Sequence, residues 1–222
     1  MNDERLNAAE MTQGLPLFPL PRYTLFPQTL VPFHVYERRY RAMIGDCLSG
    51  SRLLVVASLR PGWELAPAQG PPPVHAVAGL GRVLSDRRYP DGRFDLFVHG
   101  LTRVRLTAMV THEPWTVVDV EPLPDVATAP PEPAYQRLAA VARRLADTLG
   151  DDGDPVRELL KHSGDAASLS HRIAALLVDD FAVRQQLFET RCPVARCERL
   201  VGWLGDCLVR ATWEPSEAAL AH

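Results

Sequence analysis

Proline divides this chain in two. Seventeen of its 20 prolines lie within the first 133 residues, and only Pro155, Pro193 and Pro215 follow. Proline fixes φ, donates nothing to a ladder and breaks helix interiors, so the first part should be built of strands and loops. The second part is free to be helical. The break falls at Pro122-Leu-Pro-Asp-Val-Ala-Thr-Ala-Pro-Pro-Glu-Pro133, a stiff extended segment by composition. The expected organisation is a flexible tail over 1–13, a β domain over 14–123, a Pro-rich linker over 124–133, a helical subdomain over 134–210 and a second tail over 211–222.

Periodicity fills in the elements. Leu53–Leu59 is a continuous apolar run of strand length, and Val74–Leu84 follows the Pro71-Pro72-Pro73 loop. Tyr89-Pro90-Asp91-Gly92 is a turn signal: proline presets φ and glycine accepts positive φ. It should join the strand ending near Arg88 to one over Arg93–His99. Leu101–Val110 alternates, and Trp115–Val120 reads as one more strand. Tyr40, Met43, Ile44, Cys47 and Leu48 fall at helical spacing, with Gly50 as the stop. Beyond the linker, Tyr135, Leu138, Ala142, Leu145 and Leu149 keep helical spacing, as do Leu169, Ile173, Leu176 and Leu177. Asp180 can cap a helix burying Val183, Leu187 and Phe188. Pro193 fits the first turn of a last helix with the stripe Val194, Cys197, Leu200, Val201, Leu204 and Leu208.

The chemistry of the chain is defined mostly by exclusion. Its 222 residues carry a net charge of −3, so wholesale attraction to nucleic acid or anionic membrane is not its theme. The basic residues are arginines except for Lys161, which lies in no phosphate-loop or serine–lysine motif. No GxGxxG opens a helix, and neither a GxSxG elbow nor an HExxH zinc helix is present. The apolar run Leu53–Ala57 is too short to span a bilayer, and Met1–Gln13 shows no secretory pattern. Cys47, Cys192, Cys197 and Cys207 lack metal-knuckle spacing, which suits reduced thiols in a cytoplasm. Ser163 and Ser168 beside Lys161–His162 read as a helix end and loop rather than a nucleophile with its base, and Asp151–Asp154 as a solvated linker. His34 and His99 read as structural histidines. No cofactor or metal site is expected.

The positive signal stands at the front. Leu15-Pro-Leu-Phe-Pro-Leu20, Leu25-Phe-Pro27 and Pro32-Phe-His-Val-Tyr-Glu-Arg-Arg-Tyr40 form an ordered series that resembles the N-terminal substrate-binding domain of Lon proteases. At the strand-to-helix junction Phe33, His34, Tyr36, Glu37, Arg39 and Tyr40 match, with Arg38 where the family often has proline. Pro73-Val-His75 and Val77–Val83, Pro90-Asp-Gly-Arg93, Gly100-Leu-Thr-Arg-Val-Arg105 and Arg184-Gln-Gln-Leu-Phe-Glu189 continue the resemblance over roughly residues 14–208. It implies an α+β fold: a PUA-like antiparallel β pseudo-barrel with one inserted helix, followed by a C-terminal helical bundle. A full Lon protease continues into ATPase and serine–lysine peptidase modules, so the resemblance implies a stand-alone bacterial substrate-binding protein without enzymatic activity.

The function so implied is capture of unfolded or degron-bearing polypeptide, with a separate protease or chaperone as a further partner. An open sheet edge could bind an extended segment by strand addition. Exposed large apolar residues would mark such a site, and the candidates are Tyr23, Trp63 in the Arg60–Pro73 loop, Tyr89 and Trp115. Glu37 is expected to be buried and paired with Arg103 or Arg39, holding the inserted helix to the barrel. The alternative is RNA or nucleotide-ligand binding, since PUA-like barrels often bind RNA. Its support is the cluster Arg82, Arg87, Arg88 and Arg93 around one hairpin, although Asp86, Asp91 and Asp95 are interleaved with it.

Overall fold

In a computed structural model that describes residues 12–66, 70–112, 114–126 and 129–213, the run Leu53–Leu59 is a strand buried along its whole length. It is β3 of a six-stranded sheet: β1 is Leu15–Pro21, β2 Leu30–Val35, β4 Val77–Arg88, β5 Phe94–His112 and β6 Trp115–Pro122. A helix, α1 (Arg38–Ser49), stands between β2 and β3. The strand order is β2-β5-β4-β3-β1-β6, and β6 also pairs with β5, which closes the sheet on itself. Leu54 and Val56 belong to a cluster with Phe18, Val98 and the α1 residues Tyr40, Met43, Ile44 and Cys47. Leu53, Val55 and Ala57 point into a second cluster with Leu17, Leu80, Val104 and Val118. A strand with apolar cover on both faces has no polar alternation to show, hence the unbroken run.

The sheet is mixed rather than wholly antiparallel, because β1 and β3 pair in parallel. A parallel neighbour needs a crossover, and β2 with α1 supplies it. β6 meets β1 only at Leu15 and Pro16, so beyond that point β3 is the partner of β1. Pro19 and Pro21 are two apart, and their missing N–H groups fall on one side of the strand. The two strands expected over Arg93–His99 and Leu101–Val110 are one, β5, which runs unbroken through Gly100. It pairs with β2 and β4 and then bends over to β6, with register shifts at Leu80/Gly81, Val83/Ser85 and Leu106/Ala108. Such bulges add the local twist that closure requires.

Glycines in the matched motifs have a steric role. A Cβ on Gly100 would collide with the carbonyl of Phe26, and one on Gly79 with the carbonyl of Leu25. The Leu25-Phe26 backbone thus lies directly on the sheet, where only glycine lets it approach. Reciprocal backbone bonds lock the segment: Gln28 N donates to Gly100 O and Gly100 N to Thr29 O, each at 2.8 Å.

Five further helices follow: α2 (Glu132–Thr148), α3 (Asp154–Lys161), α4 (Ala166–Leu177), α5 (Phe181–Glu189) and α6 (Pro193–Trp213). Asp165 caps α4 by accepting from Ser168 N at 2.8 Å, and Asp180 caps α5 by accepting from Val183 N at 2.9 Å. The chain forms two compact units. One runs through Pro124 and includes Asp180–Glu189; the other holds Asp125–Asp179 and resumes at Thr190. Periodicity alone groups α5 with the helical subdomain, whereas it belongs to the barrel unit. Its Phe188 ring meets Phe26 edge-on at 5.2 Å, and Arg103, 2% exposed, donates to the Phe188 carbonyl at 3.1 Å. In the second unit α2 buries Ala134, Leu138, Ala142 and Leu145, while Leu149 is exposed. Tyr135 donates its hydroxyl to Ser163 O. Of the tails expected over 1–13 and 211–222, residues 1–11 and 214–222 lie outside the described residues, and α6 continues through Trp213 into the second.

Candidate functional site

The β4–β5 turn forms as its residues require: Gly92 has φ +84°, and Tyr89 N donates to Arg93 O at 2.9 Å. The turn gathers a polar network on the outer face of the sheet. His34 on β2 lies opposite Asp95 on β5, with Nδ1 2.6 Å from Oδ1. The Tyr89 hydroxyl donates to the other carboxylate oxygen. These two bonds, that from His34 first, hold the Asp95 carboxyl below the usual aspartate range. The same bond to Asp95 raises the Tyr89 phenol above its ordinary value. Arg87 and Arg93 stand over the Tyr89 ring at 5.0 and 5.5 Å, and Tyr36 stacks on His34 at 6.3 Å.

Beside this network the outer face turns apolar. Pro32 on β2 is the direct cross-strand partner of Phe97 on β5, and Phe97 is 48% exposed. Leu30, two residues from Pro32 on the same face, is 56% exposed. Leu84, also 56% exposed, sits in the β4 bulge between Val83 and Ser85, and Ser85 pairs with Phe97. Four apolar side chains thus share the open face of β2, β5 and β4. Sequence reasoning missed them, although one signal was available. In β5 the residues Phe94, Leu96 and Val98 alternate inward, which leaves Phe97 as an aromatic on the solvent side.

The four aromatic candidates are not brought together. Tyr89 lies in the network just described. Trp63 is 37% exposed in a single 3-10 turn, Trp63–Leu65, whose Leu65 is 90% exposed. Tyr23 packs edge-on against Phe33 at 5.3 Å, and burial pushes its hydroxyl up to about 12. Trp115 is likewise packed against the cluster beneath α1. Tyr23 and Trp115 therefore complete the core rather than an open surface.

The remaining motif residues pack against the core or bond to their neighbours. Phe33 and Tyr40 each meet Phe18 edge-on, at 5.7 and 5.0 Å. Glu37 is not buried: its side chain is 44% exposed and its carboxylate takes a 3.1 Å bond from Arg39 Nε. It stands outside the barrel, before the first turn of α1, and Arg103 turns inward to α5 instead. Within the arginine cluster, Arg87 and Arg93 flank Tyr89 while Arg88 lies over Phe94 at 5.7 Å. Arg82 lies further along β4, opposite Leu53 and His99.

Comparison with known proteins places this geometry in a family. The model of the substrate-binding domain of ATP-dependent protease La (Lon) matches residues 14–206. The Lon protease of Trichlorobacter lovleyi is 24% identical over 89% of this chain and 24% of its own length. That of Chloroherpeton thalassium is 26% identical over 86% of this chain and 23% of its own length. The chain spans less than a quarter of either relative. Among solved structures, a Lon N-terminal domain protein from Xanthomonas campestris superposes with a TM-score of 0.62 at 26% identity, covering 86% of this chain and 98% of that one. The N-terminal domain of a Mycobacterium avium complex Lon protease does so with a TM-score of 0.64 at 18% identity, covering 87% and 98%. Among the described residues no helix is long and apolar enough to cross a membrane. The matched domain is the substrate-recognition part of Lon and not its catalytic part, and this chain belongs to the Lon substrate-binding domain family.

Proposed function

We propose that the chain captures unfolded polypeptide through the apolar outer face formed by Leu30, Pro32, Leu84 and Phe97. The observation that carries this reading is the exposure of Phe97 at 48% beside its cross-strand partner Pro32, with two half-exposed leucines on the same face. Exposed apolar side chains clustered on one sheet face suit extended segments of varied sequence. The patch borders β2, an edge strand. Pro32 offers no N–H to an added strand, so main-chain pairing along this edge is interrupted and side-chain burial carries the affinity. Tyr89 at one end of the face is the sequence candidate best placed to contribute, and Trp63 with Leu65 forms a separate exposed apolar pair. Hand-over to a protease or chaperone is part of this reading, as is a reducing cytoplasm, which the four unbridged cysteines suit.

The test is binding of a permanently unfolded, carboxymethylated client, read by fluorescence anisotropy. Phe97→Ser and Leu84→Ser should each weaken binding by roughly five- to tenfold, the loss of one buried apolar side chain. Both side chains point outward, so the melting temperature should hold. Unchanged affinity in the double variant, or equal affinity for the folded client, rules the reading out.

A further inference from the structure

The β4–β5 turn has a second side. Between it and α1 lies a cavity of about 330 Å³ whose walls include Arg38, Arg41 and Arg88, with Gly45, Gly92 and Phe94. Arg38, Arg41 and Gly45 stand at i, i+3 and i+7 on one face of α1. No carboxylate lines the space.

Among the described residues no ion pair closes on this charge, although Arg41 acts through space on the Asp91 carboxyl. Three arginines of the barrel unit sit in ion pairs: Arg39 with Glu37, Arg52 with Asp86 and Arg93 with Asp91. Arg38, Arg41 and Arg88 form no ion pair among the described residues. Two of them are nevertheless held in place. Arg41 Nη1 donates to the Asp91 carbonyl at 2.5 Å, and the Arg88 guanidinium lies 5.7 Å over the Phe94 ring. The Arg41 Nε–H is shielded from solvent without a protein acceptor. A buried donor left unmade is costly, and an incoming acceptor removes that cost. The glycines keep the space open. A Cβ on Gly92 would meet Arg41 Nη1 at 3.1 Å, and around a Cβ on Gly45 there is nothing within 4 Å.

Three like charges in one small cavity call for an anion. A carboxylate brings one charge and two oxygens. A phosphate monoester brings about 1.5 to 2 negative charges at pH 7 and three terminal oxygens. Guanidinium forks match phosphate oxygens in bidentate fashion. The volume lies at the small end of ligand sites, about 300 to 1,000 Å³. We propose that this cavity binds a phosphate monoester, with Arg38, Arg41 and Arg88 gathered on its terminal oxygens. The proposal is independent of the polypeptide-binding face.

Calorimetric titration of the full chain tests it, with inorganic phosphate, adenosine 5′-monophosphate and adenosine as probes. Saturable one-site binding of phosphate or of the monophosphate, and none of adenosine, is expected. Tighter binding of the monophosphate assigns the site to an organic ester, and equal binding assigns it to free phosphate. Arg38→Gln and Arg88→Gln should each weaken binding roughly tenfold, the loss of a charge-assisted hydrogen bond. Gly45→Leu keeps every charge and fills the cavity, so it should abolish binding; its circular dichroism and melting temperature report whether it folds. Arg143→Gln, on α2 of the other unit, should change nothing. Absence of saturable binding in the folded wild type overturns the proposal, as does equal weakening by Arg143→Gln. Salt-steep binding of single-stranded RNA that survives Gly45→Leu, without phosphate binding, overturns it in favour of an RNA surface.

Discussion

Arg103 on β5 donates from Nη1 to the carbonyl of Phe188, 85 residues away, at 3.1 Å. The acceptor lies in the last turn of α5, where unpaired carbonyls accumulate and a cation is favourable. One buried arginine therefore ties a helix from the far end of the sequence to the barrel. Arg103→Met should cost about 2–4 kcal/mol, since a buried acceptor loses a charged donor. Urea denaturation reads this directly, and a loss below about 0.5 kcal/mol, the scatter of ordinary surface changes, would show the contact to be incidental.

Two glycines should respond in opposite senses to the same change. Gly100→Ala drives a methyl into the Phe26 carbonyl, backbone against backbone, and should cost at least about 2 kcal/mol. Gly202 lies within α6 with nothing within 4 Å of a built Cβ. Gly202→Ala should therefore stabilise by about 0.5–1 kcal/mol through helix propensity. Thermal melts of the pair check both; a Gly100→Ala protein as stable as wild type would contradict the close approach.

What could be read in advance follows from range along the chain. Leu53–Leu59, the Tyr89–Gly92 turn and the Asp180 cap are local, decided by residues within a few positions of one another, and the structure matches them. The family resemblance supplied the barrel and the helical part. The acceptors of Arg103 and Arg196 could not be read from local sequence because they are far away: Phe188 is 85 residues from Arg103, and Asp125 is 71 residues from Arg196. At Glu37 the opposite holds. A motif position suggested burial, but Arg39, only two residues on, satisfies it in solvent. The apolar outer face was hidden for a further reason. Leu30, Pro32, Leu84 and Phe97 become neighbours only through the registers of β2, β5 and β4.

Arg196 is fully buried, and its guanidinium meets Asp125 through two bonds of 3.1 Å. It also donates to Ser170 Oγ at 2.8 Å and to Thr190 O at 2.7 Å. The arginine thus pins together the two places where the chain enters the second unit. Arg196→Met and Asp125→Ala should each destabilise by about 3 kcal/mol. A double-mutant cycle should return a coupling of about 1–3 kcal/mol, and additivity of the two changes would exclude the pair as a stabilising contact.

The Asp95 carboxyl is held below its ordinary value of 3.8 by His34 and Tyr89. A depressed folded-state value stabilises the fold above the unfolded value, and the contribution is lost as pH falls through the folded one. Asp95→Asn should accordingly be less stable than wild type above the ordinary carboxyl value of 3.8. The deficit should shrink below pH 3.8 and vanish once the folded carboxyl is protonated. Melting curves across pH 2–7 check this, and a deficit that persists at the acid end would mean that the amide perturbs packing instead.

The four thiols should separate by reactivity. Burial pushes Cys47 up to about 12 and Cys197 up to about 11, from an ordinary 9.0. Cys47 also sits beneath α1 with its Sγ 3.2 Å from Leu53 O. At pH 8 Cys47 therefore stays protonated, and the thiolate is the reactive form. Cys192 and Cys207 are half-buried. A disulfide reagent at pH 8 should label these two quickly and the other two only at the rate of unfolding, whereas all four should react at once in denaturant. Raising the pH to 10 should leave Cys47 limited by opening of the fold. Rapid labelling of Cys47 in the native protein would contradict both its burial and the packing of α1 against the sheet.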